Sequence, residues 1–481
     1  MSVLLLAALA LPGGVATTLL VRRGGLAFAV GLATATATVV AAASINAADV
    51  VPLAGSLIGG SDGLRTVAVA WAASTLLFGL IDLLIGDGPT VLGPALVGLA
   101  FGAMGLAVPD PGIGVALITA GAMLTAVVPL VGRIEVREAA PRLGLRTLRP
   151  VLAAGLIGLL VVAWGASPVG PLGAAGPLDQ IDPGLEQAMG LALLGLALAV
   201  TIRLGAIPIH IWAARYAEAM PASAVPPMLG WGAGAFVIVA LGWVDVTIAP
   251  LGAQLGTEHA AIALLAATSI VLGGVAAILH DDLDHVLAYA IVQDAGVALL
   301  AFAASGSTVT PAGRDWIIAA VGVKAGLAAW VLVTRATFGV SRRAELRGWM
   351  RRAPILGIAF TLVIVGAVGL PTFAGFEART TLIWLALPGP VAIAVLIAAF
   401  APLIFLGRLV VDGLGVMSGH VRSAPGVDVV FGWATTGGWE GDRALWRAVP
   451  VAVLANRLPL AAGAAVLVAA VGLSVAIGGM G

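Results

Sequence analysis

The sequence has no cysteine, and lysine occurs once among its 24 Lys and Arg residues. Without cysteine the chain cannot itself hold a disulfide, a zinc–thiolate site or a cysteine-ligated iron–sulfur cluster, so redox chemistry must lie in a partner. Charged residues are also scarce at 10%, whereas 60% are hydrophobic and the mean hydropathy is +1.11. This composition excludes an ordinary soluble domain and indicates a polytopic membrane protein.

Apolar runs long enough to cross a hydrocarbon layer of about 30 Å recur along the chain. The segment 47–63 is short and glycine-rich, and we expect it outside the hydrocarbon core. The run 379–410 contains Pro388 and Pro390, so its helix should begin after them. The first run lacks a basic segment before it, which favours a retained span over a signal peptide. The sequence therefore predicts an all-α fold with about fourteen transmembrane helices, at 2–21, 26–46, 64–85, 91–108, 112–132, 149–169, 185–206, 223–244, 258–279, 285–304, 315–336, 354–374, 379–410 and 457–479.

Arginine residues concentrate in the loops after spans 1, 5 and 11, at 22–23, 133–149 and 342–352. These loops lie on one side of the membrane, which we call the arginine face, and acidic residues dominate the other side. Because basic residues concentrate on cytoplasmic loops, we expect the arginine face in the cytoplasm and both termini on the outer side of the inner (cytoplasmic) membrane. A second expected role for this face is the docking of a cytoplasmic enzyme module or of anionic lipid.

Spans 7 and 12 each carry a proline close to charged residues, in RLGAIPIH at 203–210 and GLPTFAGFEAR at 369–379. A proline frees a backbone carbonyl, which survives at membrane depth only where protein or a water-filled cavity satisfies it. Paired interruptions in two halves of a membrane protein indicate inverted repeats with a site at each break, although a packing kink is the alternative. We therefore expect two inverted repeats, spans 4–8 and 9–13, each with a proline-broken helix. The predicted division of the chain is 1–90 for spans 1–3, 91–250 for the first repeat, 251–412 for the second, and 413–481 for a cytoplasmic loop and the last span.

The single lysine, Lys324, lies in the middle of span 11, roughly 15 Å from Arg314 and Arg335 at the helical rise. A charge at the bilayer centre costs roughly 2.5–3.5 kcal/mol on insertion scales. Burial can depress the pKa of a lysine until it loses its proton, which an arginine does not do. The position favours a proton-carrying role; the alternative is an ion pair with a nearby carboxylate that only holds helices together.

Several ordered segments resemble the antiporter-like membrane subunits of respiratory complex I, membrane-bound hydrogenases and Mrp-type cation/proton antiporters. RLGAIPIHIW at 203–212 is similar to the Lys-x-x-x-x-Pro-x-His-x-Trp segment of that family, and DLDHVLAY at 282–289 to its Asp-Leu-Lys-Arg-x-Leu-Ala-Tyr. VKA at 323–325 is similar to its Phe-Lys-Ala, and GLPTFAGF at 369–376 to its Gly-Ile-Pro-x-x-x-Gly-Phe. The resemblance covers roughly 60–410 and implies a proton- or cation-translocating subunit of the shorter N, M or D kind.

The chain departs from the family at residues that the family uses for proton transfer. The family's first-half lysine is replaced by Arg203, which cannot release its proton. Its span 12 lysine or glutamate falls at Arg379, two residues after Glu377, and the span 5 segment 118–132 has no acid. These departures leave open a degenerate subunit with a closed pathway.

The resemblance implies a mid-membrane line of titrating side chains. Lys324 is the candidate proton carrier, and Glu377 is either its carboxylate partner or a salt-bridge partner of Arg379. Arg203 is expected to fix structure or electrostatics, and Asp82, near the end of span 3, is expected to be a solvated rim residue. The candidate site residues are Lys324, Glu377, His210, Asp294, Arg203, Arg379 and His285.

Three functions remain possible from the sequence. The first is an ion-translocating subunit of a complex I-like or hydrogenase-like assembly; the second is a non-pumping scaffold that anchors a partner enzyme, for example one handling inorganic carbon or hydrogen. The third is a stand-alone secondary transporter. Other membrane subunits and lipid are the expected partners, and we expect no nucleic acid, no cofactor and no metal on this chain.

Overall fold

Helices make up most of the chain that the computed structural model describes, which comprises residues 2–53, 56–85, 88–127, 140–166, 183–251, 255–369, 371 and 373–416. The helices are α1 (Ser2–Leu19), α2 (Gly24–Ala43), α3 (Asp62–Ile85), α4 (Leu92–Ala107), α5 (Pro111–Ala126), α6 (Ala140–Ala166), α7 (Pro183–Leu204), α8 (Ile211–Ala219), α9 (Gly232–Thr247), α10 (Gly256–Leu279), α11 (Leu283–Leu300), α12 (Val309–Phe338), α13 (Trp349–Arg352), α14 (Pro354–Val368), α15 (Ala374–Ala386), α16 (Gly389–Ala399) and α17 (Ala401–Leu414).

Ten helical segments in this part of the chain are long and apolar enough to cross a membrane. The three shorter apolar helices α4, α5 and α14 fall at the predicted spans 4, 5 and 12. The predicted span at 457–479 lies outside the described residues, as does much of the arginine-rich segment 133–149. The total of fourteen spans therefore stays a prediction.

The segment 47–63 contains a small departure from the predicted all-α fold. Strands β1 (Val50–Leu53) and β2 (Ser56–Gly59) pair antiparallel. The hydroxyl of Ser2 donates a hydrogen bond of 2.9 Å to the carboxylate of Asp49, which joins the hairpin to the start of α1. Hydropathy gave no signal for this strand pairing, and the position of the segment outside the hydrocarbon core stays a prediction.

Both predicted helix breaks are present. The seventh span stops at Leu204 and resumes at Ile211 as α8, and the twelfth stops at Val368 and resumes at Ala374 as α15. A glycine follows each stop, Gly205 at φ +66° and Gly369 at φ +74°, in a backbone region that disfavours residues with a Cβ. The thirteenth span begins at Gly389, after Pro388 but before Pro390, which the first turn of a helix tolerates; the predicted start after both prolines is therefore wrong, and residues 379–386 belong to the broken helix before it. The symmetry relation between the two halves remains a prediction.

Glycine allows α10 and α11 to approach closely. A Cβ on Gly273 would lie 2.7 Å from the backbone nitrogen of Gln293, and one on Gly296 would lie 2.7 Å from the carbonyl oxygen of Ala266. Small residues at such contacts let helix backbones meet in lipid, where no hydrophobic force draws helices together. This contact fixes the position of α11, which carries two of the candidate site residues, His285 and Asp294.

Candidate functional site

A buried ion pair joins two of the candidate residues on neighbouring helices. The Lys324 ammonium nitrogen on α12 lies 2.6 Å from a carboxylate oxygen of Asp294 on α11. The two side chains are 9% and 14% exposed. Removing one partner of a buried pair strands the other charge, at a cost of about 3–5 kcal/mol. The pair therefore couples the two helices and is the centre of the candidate site.

Trp316 connects the same two helices at the backbone. Its indole nitrogen on α12 donates a hydrogen bond of 3.1 Å to the carbonyl oxygen of Asp294. The sequence reading treated the aromatic residues as packing and membrane anchors and missed this contact. No local pattern signals it, because the acceptor is a backbone atom 22 residues away.

A cavity of about 40 Å³ lies beside the ion pair, with room for roughly three water molecules. Its walls are mostly apolar, and Lys324 and Asp294 are the charged side chains among the described residues that line it. Other lining residues are Leu204, Leu229 and Trp316. The cavity thus lies between the ion pair and the point where the seventh span breaks.

A single π-helical turn, Pro226–Trp231, precedes α9 and separates the ion pair from the first broken helix. We call it the π turn. The guanidinium of Arg203, 1% exposed, donates a hydrogen bond of 3.1 Å to the carbonyl oxygen of Met228 in this turn. Arg203 also lies in the last turn of α7, where a cation is favoured by the helix dipole. It supports the backbone of the π turn and has no ion pair within the described ranges.

Arg379 performs the corresponding task at the second break. Its guanidinium, 2% exposed, donates hydrogen bonds of 2.5 Å to the carbonyl oxygen of Val368 and 3.4 Å to that of Ala399. These carbonyls lie at the last residues of α14 and α16. The guanidinium carbon lies 4.4 Å from the ring centroid of Phe400, within cation–π distance. Arg379 is also close enough to Asp294 for electrostatic attraction.

Glu377 lies away from these contacts. Its side chain is exposed, and no ion pair among the described residues includes it. The structure thus brings Lys324, Asp294 and Arg379 together without Glu377.

His210 and His285 belong to a separate group of rings near the turn between α10 and α11. The His285 ring stacks on His280 at 4.8 Å between centroids, and His280 stacks on Tyr289 at 4.9 Å. His210, at the start of α8, lies 5.8 Å from Tyr289. Burial lowers the pKa of His280 below its ordinary value, and the imidazole of His285 lowers it further. The sequence reading missed His280.

The arginine-rich segment 342–352 is partly occupied by internal ion pairs. Arg343 lies 2.9 Å from Asp281 and 2.9 Å from Asp412, which joins the turn before α11 to the end of α17. Arg335 at the end of α12 pairs with the buried Asp284. Asp284 lies in the first turn of α11, where the helix dipole stabilises a negative charge.

Asp82 was expected to be a solvated rim residue, and that prediction is wrong. Asp82 is only 2% exposed, because the start of α4 and the π turn cover this end of α3. Hydropathy located it near a helix end but carried no information about the neighbouring elements.

The interrupted helices and the buried lysine belong to an antiporter-like membrane subunit. A family model described as "NADH:quinone oxidoreductase/Mrp antiporter, TM" matches residues 180–404. The chain is 30% identical to NADH-quinone oxidoreductase subunit N of Cereibacter sphaeroides over 338 residues, covering 66% of this chain and 70% of that protein. The chain belongs to this family of complex I and Mrp-type membrane subunits. Matches to two other subunit N proteins span only 40% and 46% of those relatives' lengths.

Solved structures share the fold at low sequence identity. A chain of the Mrp complex from Dietzia sp. DQ12-45-1b superposes with a TM-score of 0.77 at 17% identity, covering 99% of this chain and 94% of that one. A chain of respiratory complex I from Thermus thermophilus superposes with a TM-score of 0.66 at 18% identity, covering 99% and 97%. The resemblance inferred from the ordered segments is therefore confirmed at the level of family and fold.

Proposed function

We propose that this chain translocates protons as one subunit of a larger membrane assembly, with Lys324 as the proton carrier. The observation that carries the proposal is the Lys324–Asp294 ion pair beside a cavity of about 40 Å³. Lys324 lies on α12, which is the most completely buried of the described spans. The cavity gives the buried ammonium space for water, and so a route for its proton.

The charges around Asp294 allow Lys324 to cycle. When the ammonium gives its proton to a cavity water, a neutral amine remains, and the Asp294 carboxylate keeps the attraction of the fixed Arg379 cation. Reprotonation of the amine restores the ion pair. Arg203 and Arg379 keep their protons throughout and donate to the carbonyl oxygens of Met228 in the π turn and of Val368 at the second break.

The driving reaction is assigned to partner subunits, since the chain has no cysteine to ligate an iron–sulfur cluster. Similar folds occur in multi-subunit assemblies such as the Mrp complex, which favours other membrane subunits as partners. The arginine face is assigned to the cytoplasm and the termini to the outer side, with a cytoplasmic module or anionic lipid docking on the arginine face.

A non-pumping scaffold is the second candidate, favoured by one specific observation. Arginine stands at both helix breaks, and each guanidinium is held by backbone carbonyls. Fixed cations at these points repel a proton in transit. The chain would then only hold a partner enzyme in the membrane.

Proton uptake by inverted vesicles that carry the native assembly separates the two functions. Compared at equal amounts of assembled complex, Lys324→Ala and Lys324→Arg should keep the driving reaction and lose proton uptake, because neither can cycle a proton. Arg314→Ala, on the same helix but 43% exposed, is the matched control and should pump like the parent. Unchanged uptake in both Lys324 variants, or no uptake in the parent, would establish the scaffold.

A further inference from the structure

A second cavity lies at the C-terminal end of α3, between that helix, the start of α4 and the π turn. It has a volume of about 10 Å³, room for roughly one water molecule. Asp82 is the one charged side chain among the described residues that line it, and Ser74 and Thr75 on the same helix add hydroxyl groups. Asp82 is 2% exposed, so its carboxylate lies among polar neighbours inside a mostly apolar membrane protein.

Two donors from other elements line the same cavity. Ser223 is 1% exposed and Trp231 is 3% exposed. Neither the Ser223 hydroxyl oxygen nor the Trp231 indole nitrogen has a hydrogen-bond partner within the described part of the chain. Buried polar groups are nearly always satisfied by protein or by ordered water. Because an indole N–H can only donate, its partner must be an acceptor such as a water or a carboxylate oxygen.

A metal cation fits this cavity poorly. Hard cations take about six to eight oxygen ligands. The cavity offers Asp82 and three hydroxyl groups, and the Thr75 hydroxyl already donates to the carbonyl oxygen of Trp71 at 3.0 Å. An indole N–H directed at the same space would also repel a cation. The chemistry fits a water molecule and a proton.

The π turn separates this cavity from the one beside Lys324. Pro227 and Trp231 line the Asp82 cavity, whereas Pro226, Leu229 and Gly230 line the Lys324 cavity. Residues of a single turn therefore form a wall shared by two cavities that each contain a carboxylate. π-helical turns inside α-helices are rare and occur frequently at functional sites.

We propose that Asp82 is a proton-binding carboxylate that passes protons through its cavity water toward the Lys324 cavity. When a proton arrives, an O–H bond forms at a carboxylate oxygen. When the proton leaves, that bond breaks, the cavity water takes the proton as hydronium and passes it on, and the ionised carboxylate accepts hydrogen bonds from Ser223 and Trp231. Onward transfer to Lys324 rests on the proposed function, whereas proton binding at Asp82 does not.

Infrared difference spectra of the full chain in its native assembly test proton binding directly. The carbonyl stretch of a protonated carboxyl should appear as pH is lowered, shift in D₂O, and be absent in Asp82→Asn. Asp62→Asn, at the other end of α3 with a 74% exposed side chain, is the control and should keep the band. A band that is absent in the parent, or that persists in Asp82→Asn, overturns the proposal. If Asp82→Asn does not assemble, Ser223→Ala must shift the band, since it removes a donor; an unshifted band overturns the proposal.

Proton uptake by inverted vesicles tests the transfer step. Asp82→Asn should lower the initial rate by about a hundredfold or more, the order of effect for a lost proton-transfer group, whereas Asp62→Asn should not. If Lys324→Ala abolishes uptake while Asp82→Asn leaves it unchanged, the transfer role of Asp82 is wrong and the proposed function stands. If the parent shows no uptake but the Asp82 band titrates, the proposed function fails and proton binding at Asp82 stands.

Discussion

The buried arginines and the buried lysine of this chain make different kinds of contact, and the difference follows from their chemistry. Arg203 donates to a backbone carbonyl of the π turn and Arg379 to the carbonyl at the end of α14, a task that suits a planar guanidinium with five donors and a permanent charge. Lys324 instead faces one carboxylate and a cavity. The ammonium has one carboxylate partner and space for water beside it, whereas each guanidinium is held by backbone carbonyl oxygen.

The Lys324–Asp294 pair is expected to behave as a buried ion pair in stability measurements. Asp294→Asn leaves the ammonium without its counter-ion and should lower the free energy of unfolding by about 3–5 kcal/mol. The double variant Asp294→Asn with Lys324→Met removes both charges and should recover most of that loss. Denaturant unfolding of the solubilised assembly gives both values, and a double variant no better than the single one would contradict a buried pair.

The interruptions of the two broken helices could be predicted from sequence because their causes are local. A glycine that accepts positive φ and a proline two or three residues later are visible within a few residues of each break. The side chains that satisfy the freed carbonyls were visible as charges nearby, but their acceptors were not. Arg379 reaches Ala399, 20 residues onward, and that contact depends on how α15 and α16 pack.

Substitution at the first break should show that its geometry requires glycine. Gly205 has φ +66°, and an added Cβ would lie 2.5 Å from the Cβ of Ala213. Gly205→Ala should therefore destabilise the protein by about 1–3 kcal/mol, the usual cost of a strained backbone residue. Gly407→Ala in α17 meets nothing within 4 Å and is the control, expected to be neutral or stabilising by up to about 1 kcal/mol. Equal thermal midpoints for the two variants would rule out strain at the break.

The turn between α10 and α11 should make stability depend on pH. Burial and the neighbouring His285 lower the pKa of His280, while Asp282 and Asp281 act in the opposite direction. The unfolded chain therefore binds the proton at higher pH than the folded one, so stability is full above the ordinary histidine pKa of 6.5 and falls as pH drops below it.

His280→Gln removes this titration and should flatten the stability profile below pH about 6.5 relative to the parent. The profile is measured as the thermal midpoint of the solubilised assembly at a series of pH values. If the thermal midpoint depends on pH equally in the variant and the parent, a group other than His280 causes the pH dependence.

At the scale of the whole molecule, hydropathy and ordered motifs were enough to predict a polytopic antiporter-like subunit. They could not predict which polar residues meet. Asp294 was recognised as costly in span 10, but its 2.6 Å contact with Lys324 depends on close packing of α11 against α12. Asp82 was placed at a solvated rim because the sequence does not show that the π turn, about 140 residues later, folds over it.

The cysteine-free sequence permits a direct test of membrane orientation. Helix α12 has 30 residues, a rise of about 45 Å, so residues before and after it lie on opposite sides of a hydrocarbon layer of about 30 Å. Ser307 and Ala344 are exposed and flank this helix, and each substitution to cysteine introduces the single thiol of the chain. With the arginine face in the cytoplasm, an impermeant maleimide should label Ser307→Cys in intact cells and Ala344→Cys only after permeabilisation. The opposite pattern would invert the orientation and place the Asp82 end of α3, which lies on the same side as Ala344 in the predicted topology, toward the outside.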